Sequence, residues 1–439
     1  MTGRVELLSP AGTLKSLRYA LAYGADAVYA GQARYSLRVR QNDFDLQNLS
    51  LGIAQAHAAG KKVYVVANIQ PRNSKLATFV QDMREVMDLK PDALIMSDPG
   101  LMMLLREQYP EAVIHLSVQA NAVNWATVRF YEQQGVSRII LSRELSLEEI
   151  EEIRQRCPDI ELEVFVHGAL CMAYSGRCLL SGYINHRDAN QGACTNACRW
   201  PYRVLPALED EAGRPVLCSG EGCPGADPQK GPNPLFLLQD PTRPEEILRA
   251  FEDQHGTYIF NSRDLRAVAL VDRLVRIGVN SLKIEGRTKS FYYVARTAQV
   301  YRKAIDDALA GRPFDPSLMT DLDELASRGY TEGFLIRRPH TEYQNYEQGT
   351  SVSSAARLCG EITGVTDGAA VVAVRNRFEA GDRLRILTPS GNFEITANSM
   401  TDQEHRPVTA APGEGHTVLL PMEEARTRDL SWGIVTRLL

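Results

Sequence analysis

Four cysteines within one short span carry the strongest chemical signal in this 439-residue chain: Cys171, Cys178, Cys194 and Cys198. Six residues separate the first pair, fifteen the middle pair and three the last pair. Gly168, Gly176, Gly182 and Gly192 lie beside or among them. Glycine lets a backbone wrap a compact object and bring its N–H groups close to it. Buried hydrophobic thiols are the usual fate of scattered cysteines, but these spacers are polar and glycine-rich. A disulfide pair is disfavoured, because the chain shows no secretory signal and cytosolic thiols stay reduced. A tetrathiolate site remains, for zinc or for an iron–sulfur cluster. Structural zinc usually takes two tight cysteine knuckles. One close pair and two spread cysteines lean towards a cluster and leave zinc open.

The elements that must position these cysteines repeat along the chain. Apolar runs at residues 5–9, 27–30, 62–67, 93–96, 113–116, 138–141, 162–166 and 281–284 read as short strands. Helical patterns follow them, several opened by a capping residue: Thr13, Ser74 before residues 75–87, and Ser146 before residues 147–155. Strand, short loop and helix repeated about eight times predict a (β/α)8 TIM-like barrel. No G-x-G-x-x-G or P-loop supports an open doubly wound sheet. In such a barrel the chemistry sits at the C-terminal strand ends. Those ends carry Asn68, Asp98, Gln119, Arg143, Glu144, His167 and the turn from Glu285 to Arg287. The cysteine segment leaves strand seven and lies over the same mouth.

Residues 1–310 are read as the barrel, with a cysteine-rich insertion after strand seven over about 168–280. Within the insertion, residues 209–234 are rich in Gly, Pro and charge and predict a mobile loop, residues 256–260 a strand, and Ser262 a cap for a helix over 264–277. Residues 311–354 read as a linker with a short helix near 321–327. From residue 355 to 439 the apolar runs become short and turn-spaced, the pattern of a small C-terminal all-β barrel.

Bulk properties exclude several classes. Hydrophobic content of 44% and charged content of 23% are those of an ordinary soluble protein. No apolar run reaches membrane-spanning length, and a cytoplasmic location is expected. A net charge of −5 rules out bulk attraction to nucleic acid, so any RNA contact must be local. Residues 283–303 hold Lys283, Arg287, Lys289, Arg296, Arg302 and Lys303 against the single acid Glu285, with aromatics interleaved. The stretch from Arg287 to Lys303 is the expected RNA contact, aided by the β domain. There is no H-E-x-x-H and no G-x-S-x-G, and the C-x3-C pair lacks the third close cysteine of a radical-SAM triad.

The runs HGALCMAYSGRCLLSGY and GACTNACRWPY resemble the signature of the collagenase-like unassigned peptidase family. The similarity extends from ELLSPAGTL through SVQANAVNWAT to SLKIEGRTKSFYYVARTAQVYRKAIDDA and into the C-terminal segment. It implies a 4Fe–4S cluster held by Cys171, Cys178 and Cys194, with Cys198 as fourth ligand and Cys218 and Cys223 as rivals. It further implies prephenate-dependent, oxygen-independent hydroxylation of a tRNA wobble uridine to 5-hydroxyuridine; whether an electron-donor protein is a further partner stays open. Prephenate carries two carboxylates, and paired guanidinium groups are an efficient way to hold them. Arg38, Arg40, Arg143, Arg177 and Arg287 are the candidates. His167, Glu285 and Gln119 are the candidates to act on the substrate, His167 by proton relay or as a hydrogen-bond partner of cluster sulfur. Two other classes stay open: a metal-dependent collagenase-like peptidase, and a zinc-stapled RNA-binding or chaperone module without catalysis.

Overall fold

The computed structural model describes residues 4–31, 34–36, 43–170, 187, 195, 203–209, 215–217, 235–240, 243–253, 256–257, 263–327, 329–336 and 355–439. Strands β1 (Glu6–Ala11), β2 (Ala27–Gly31), β3 (Lys62–Ala67), β4 (Ala93–Met96), β5 (Ile114–Leu116), β6 (Arg138–Ile140) and β7 (Glu161–Ala169) pair in parallel and in sequence order. Helices α1 (Leu14–Ala22), α2 (Leu46–Ala58), α3 (Asn73–Asp88), α4 (Pro99–Gln108), α5 (Trp125–Gln133) and α6 (Leu147–Arg156) alternate with them. The insertion contributes β8 (Arg203–Glu209), β9 (Pro215–Leu217), β10 (Leu235–Asp240), β11 (Arg243–Asp253) and β12 (Gly256–Thr257), an antiparallel sheet. Of the expected loop over 209–234, Glu209 ends β8 and Pro215–Leu217 form β9; the rest lies outside the described residues. The chain returns through β13 (Asp264–Arg266), α7 (Val271–Ile277), β14 (Ser281–Ile284) and α8 (Phe291–Leu309), then α9 (Ser317–Asp323) and β15 (Tyr330–Thr331). Strand β14 pairs in parallel with both β1 and β7, so the eight-stranded barrel closes.

Strand residues alternate between the interior and the helices. On β14, Lys283 points into the barrel, where it pairs with Glu163, and the apolar Leu282 and Ile284 alternate with it. Helix α8 buries Val294, Ala298, Tyr301 and Ile305, one apolar stripe at helical spacing. Caps fix where helices start: Thr13, Asp45, Asp98, Asn124, Ser146 and Ser290 each accept a backbone N–H from the first helical turn. Ser146 forms a full capping box with Glu149. Removing such a cap costs about 1 kcal/mol.

Three local expectations fail. Ser74 is no cap: α3 starts at Asn73, and its cap position, Arg72, makes no side-chain bond. Residues 264–277 are not one helix. Asp264, Leu265 and Arg266 run antiparallel to Ala169, Gly168 and His167, and the helix begins only at Val271. The protruding edge of β7 offers unpaired backbone groups, and pairing there outweighs the local helical pattern. Ser262 lies outside the described residues. The short helix expected near 321–327 sits earlier, at Ser317–Asp323.

The C-terminal unit is an eight-stranded antiparallel sheet curved into a half-barrel, built on long strands Ala356–Thr366 and Ala369–Val374. Its core gathers Val372, Phe378, Leu384, Ile386 and Val435. It docks on the outside of the barrel, against α1 and α8. Lys15 pairs with Glu361 at 2.5 Å, and the Tyr19 hydroxyl donates to the same carboxylate at 3.1 Å. The Tyr23 hydroxyl lies 2.9 Å from the carbonyl oxygens of both Leu387 and Trp432. Glu324 accepts Arg296 from the barrel at 3.0 Å and Arg385 from the β domain.

Candidate functional site: the barrel mouth

His167 occupies the last turn of β7 and is 1% exposed. Rings of Tyr293, Tyr301 and Tyr330 surround it at 5.5 to 5.7 Å. The Tyr301 hydroxyl donates to Val166 O at 2.7 Å and lies 3.3 Å from His167 Nδ1. With that hydroxyl proton committed, Nδ1 carries the hydrogen and Nε2 keeps a lone pair. Nε2 is buried and has no partner among the described residues. Burial first, then the nearby cations Arg266 and Lys289, pushes the imidazole down to about 3. At neutral pH His167 is therefore a neutral acceptor and not a proton donor.

Glu285 is fixed beside it. Its N–H donates to His167 O at 2.8 Å, its carbonyl accepts Tyr293 Oη at 2.8 Å, and its carboxylate accepts Ala169 N–H at 3.2 Å. This crossing depends on Gly168, which has φ +105°. A Cβ there would meet Glu285 O at 2.5 Å and Glu285 Cβ at 2.9 Å. A shift in the β7–β14 register between Lys283 and Ile284 re-aims the last residues of both strands.

Two of the candidate arginines converge on one row of inward side chains. The Arg143 guanidinium lies 3.7 Å from the Phe165 ring centroid. Lys283 Nζ is 5.4 Å from the same ring and 4.4 Å from that of Tyr29. Arg287 stands 5.9 Å from Tyr29 and donates to Ser36 Oγ at 2.6 Å. It crosses directly over Gly31, where any Cβ would strike the guanidinium. On the opposite rim, Asn68 Nδ2 donates to Gln119 Oε1 at 2.8 Å and to Ser117 Oγ at 3.1 Å. Gln119 is thus braced at its side-chain oxygen by the amide of Asn68, the residue that follows β3.

Below this row lies a charged network that the sequence reading missed. Lys283 pairs with Glu163 at 2.8 Å, and Glu163 with Arg138 at 3.2 Å. Arg138 reaches Glu6 at 2.5 Å and Glu161 at 2.7 Å. The available signal was charge at inward positions of otherwise apolar strands.

Cys171, Cys178, Cys194 and Cys198 lie outside the described residues, as do Arg38, Arg40, Arg177 and the rivals Cys218 and Cys223. The described chain reaches Leu170, buried at the mouth, one residue before Cys171. Among the described residues no group of three His, Cys, Asp or Glu could hold a metal ion. Thiolates are the natural donors for iron–sulfur clusters, and the cysteine segment leaves from the mouth.

The expected basic face of α8 is corrected by the structure. Arg296 is fully buried against Asp321 at 2.7 Å and Glu324 at 3.0 Å. Arg302 pairs with Asp26 and Asp306, and Lys303 with Asp307 and Asp315. Asp306 and Asp307 one turn on along α8, together with Asp26, Asp315, Asp321 and Glu324 from other segments, neutralise these cations, so the stretch from Arg287 to Lys303 is not an open RNA-binding strip.

No described helix is long and apolar enough to cross a membrane. The chain matches Peptidase family U32 over residues 12–345 and the Peptidase family U32 C-terminal domain over residues 355–430. It is 62% identical to tRNA hydroxylation protein P of Escherichia coli over 95% of this chain and 94% of that protein. It is 60% identical to the protein of the same name from Haemophilus influenzae, over 94% of this chain and 92% of that one. It is also 29% identical to the 23S rRNA 5-hydroxycytidine C2501 synthase of Escherichia coli, over 90% of this chain and 54% of that protein. With most of its length matched by the family and by these relatives, the chain belongs to peptidase family U32.

Proposed function

We propose that this chain is a cytoplasmic tRNA-modifying enzyme that hydroxylates a wobble uridine at C5, giving 5-hydroxyuridine, with prephenate as co-substrate and a 4Fe–4S cluster as cofactor. The observation that carries the reading is the 62% identity, over 95% of the chain, to a protein named for tRNA hydroxylation. The mouth geometry supports it. Replacing C5–H by C5–OH is a two-electron oxidation with insertion of one oxygen atom, chemistry that side chains alone do not supply. A cluster held by Cys171, Cys178, Cys194 and Cys198 supplies redox capacity. Arg287 and Arg143 present fixed guanidinium groups for the carboxylates of prephenate. Neutral His167 offers an acceptor, and the Gln119 amide can read a base edge that has left its stack. With the oxygen atom supplied at the oxidation level of water, this oxidation releases two electrons, so the remaining partner would be a redox protein that accepts them.

Nucleosides from total tRNA of cells with and without the gene, separated and weighed by mass spectrometry, test the proposal. Loss of 5-hydroxyuridine-type nucleosides, restored by the wild-type chain and not by Cys171→Ala, is expected. Identical nucleosides in both strains would overturn it.

A further inference from the structure

With α8 neutralised, the RNA contact has to lie elsewhere, and the junction of the two units holds an open site. A cleft of about 770 Å³ runs between α1 and the β domain, lined by Lys15, Arg18, Tyr19, Val365, Arg428 and Trp432 among others. Arg18 and Arg428 are exposed, and neither has a carboxylate partner among the described residues. Trp432 is 41% exposed, with one edge of the indole against Tyr19 and the rest open to the cleft. Its backbone has φ +64°, a conformation that bulky residues seldom adopt. The turn is held in place: Tyr23 Oη contacts Trp432 O at 2.9 Å, Gly433 N–H donates to Leu430 O at 2.9 Å, and Tyr19 meets the indole at 82°. A costly backbone conformation that keeps an aromatic ring in the open is a feature of binding sites.

The cleft borders the start of α8. Lys15 Nζ sits 4.1 Å from the Phe291 ring, and Phe291 opens α8 four residues after Arg287. An exposed indole flanked by guanidinium groups that have no carboxylate partner among the described residues is the arrangement that holds single-stranded nucleic acid, the ring stacking a base and the cations meeting phosphates.

We infer that this cleft binds an unstacked nucleotide of the RNA substrate, next to the one presented to the barrel mouth, with its base on Trp432 and its phosphates on Arg18 and Arg428. The inference rests on the tRNA reading above. It is tested on the full chain with an RNA hairpin carrying an anticodon stem and loop. Binding is followed by fluorescence anisotropy, and stacking by tryptophan quenching. Trp432→Ala should weaken binding about fivefold or more. Trp432→Phe should bind within about twofold of wild type and lose part of the quench. Arg428→Glu, an exposed change that leaves the core untouched, should weaken binding and flatten its salt dependence. Wild-type affinity in both Trp432→Ala and Arg428→Glu would overturn the cleft assignment and leave the tRNA reading standing. A wild-type chain that does not prefer the hairpin to unrelated duplex RNA would overturn both. A concentration-dependent dimer lost in Trp432→Ala would assign the cleft to a second copy of the chain instead.

Discussion

Lys283 and Glu163 form a 2.8 Å ion pair inside the barrel, one on β14 and one on β7, with both side chains almost completely buried. Burial lowers the Lys283 pKa and the Glu163 carboxylate opposes that. Breaking a buried pair from one side leaves an uncompensated charge and costs about 3–5 kcal/mol. Lys283→Met should therefore lower the urea midpoint sharply. Lys283→Met combined with Glu163→Met should recover part of the loss, since Arg138 keeps Glu6 and Glu161. Equal midpoints for wild type and Lys283→Met would refute the pairing.

In the proposed function Arg287 is the main anion-binding group. Arg287→Ala should weaken prephenate binding by about 1.5–3 kcal/mol, roughly tenfold or more. Arg287→Lys should restore only part, because an ammonium lacks the planar fork. Titration calorimetry measures both. Unchanged affinity in a variant with normal iron content would remove Arg287 from the site.

The depressed pKa of His167 makes stability pH-dependent. The unfolded chain binds a proton near the ordinary value of 6.5, and the folded chain resists it down to about 3. The unfolded state thus holds more protons in that window, so stability is full above pH 6.5 and falls as pH drops towards 3. At pH 5 the loss from this group is about 2 kcal/mol. His115, also buried and shifted the same way, adds to it. Urea midpoints at pH 7.5 and pH 5 should converge in His167→Gln relative to wild type. An undiminished difference would show that His167 titrates normally.

The cysteine segment gives an elemental prediction. Protein purified without oxygen should be brown and hold about four iron and four sulfide per chain. Cys171→Ala, Cys178→Ala and Cys194→Ala should each lose the colour. Retention in Cys198→Ala with loss in Cys218→Ala would move the fourth ligand. One zinc per chain and no visible absorption would replace the cluster with a structural metal.

The barrel was legible because each strand is a short apolar run closed by a capping or turn residue, and that grammar is local. The positions of His167, Gln119, Glu285, Arg143 and Arg287 at strand ends were legible for the same reason, as residues just beyond such runs. Strand β13 was not, since Asp264, Leu265 and Arg266 become a strand only through the free edge of β7. The fate of Arg296 was hidden too. Its acceptors Asp321 and Glu324 lie 25 and 28 positions away, and Arg385 lies 61 beyond Glu324. Charge counted along a helix cannot show which charges a distant segment will cover.

The shared carboxylate of Glu324 makes the two units a single mechanical object. Arg296 of the barrel and Arg385 of the β domain both converge on it, and it is 3% exposed. Tyr23 and Lys15 tie the same faces together. A polypeptide split between residues 336 and 355 should consequently behave as two complementing fragments. Neither half would keep its docking face soluble alone, and co-expression would reassemble what separate expression loses.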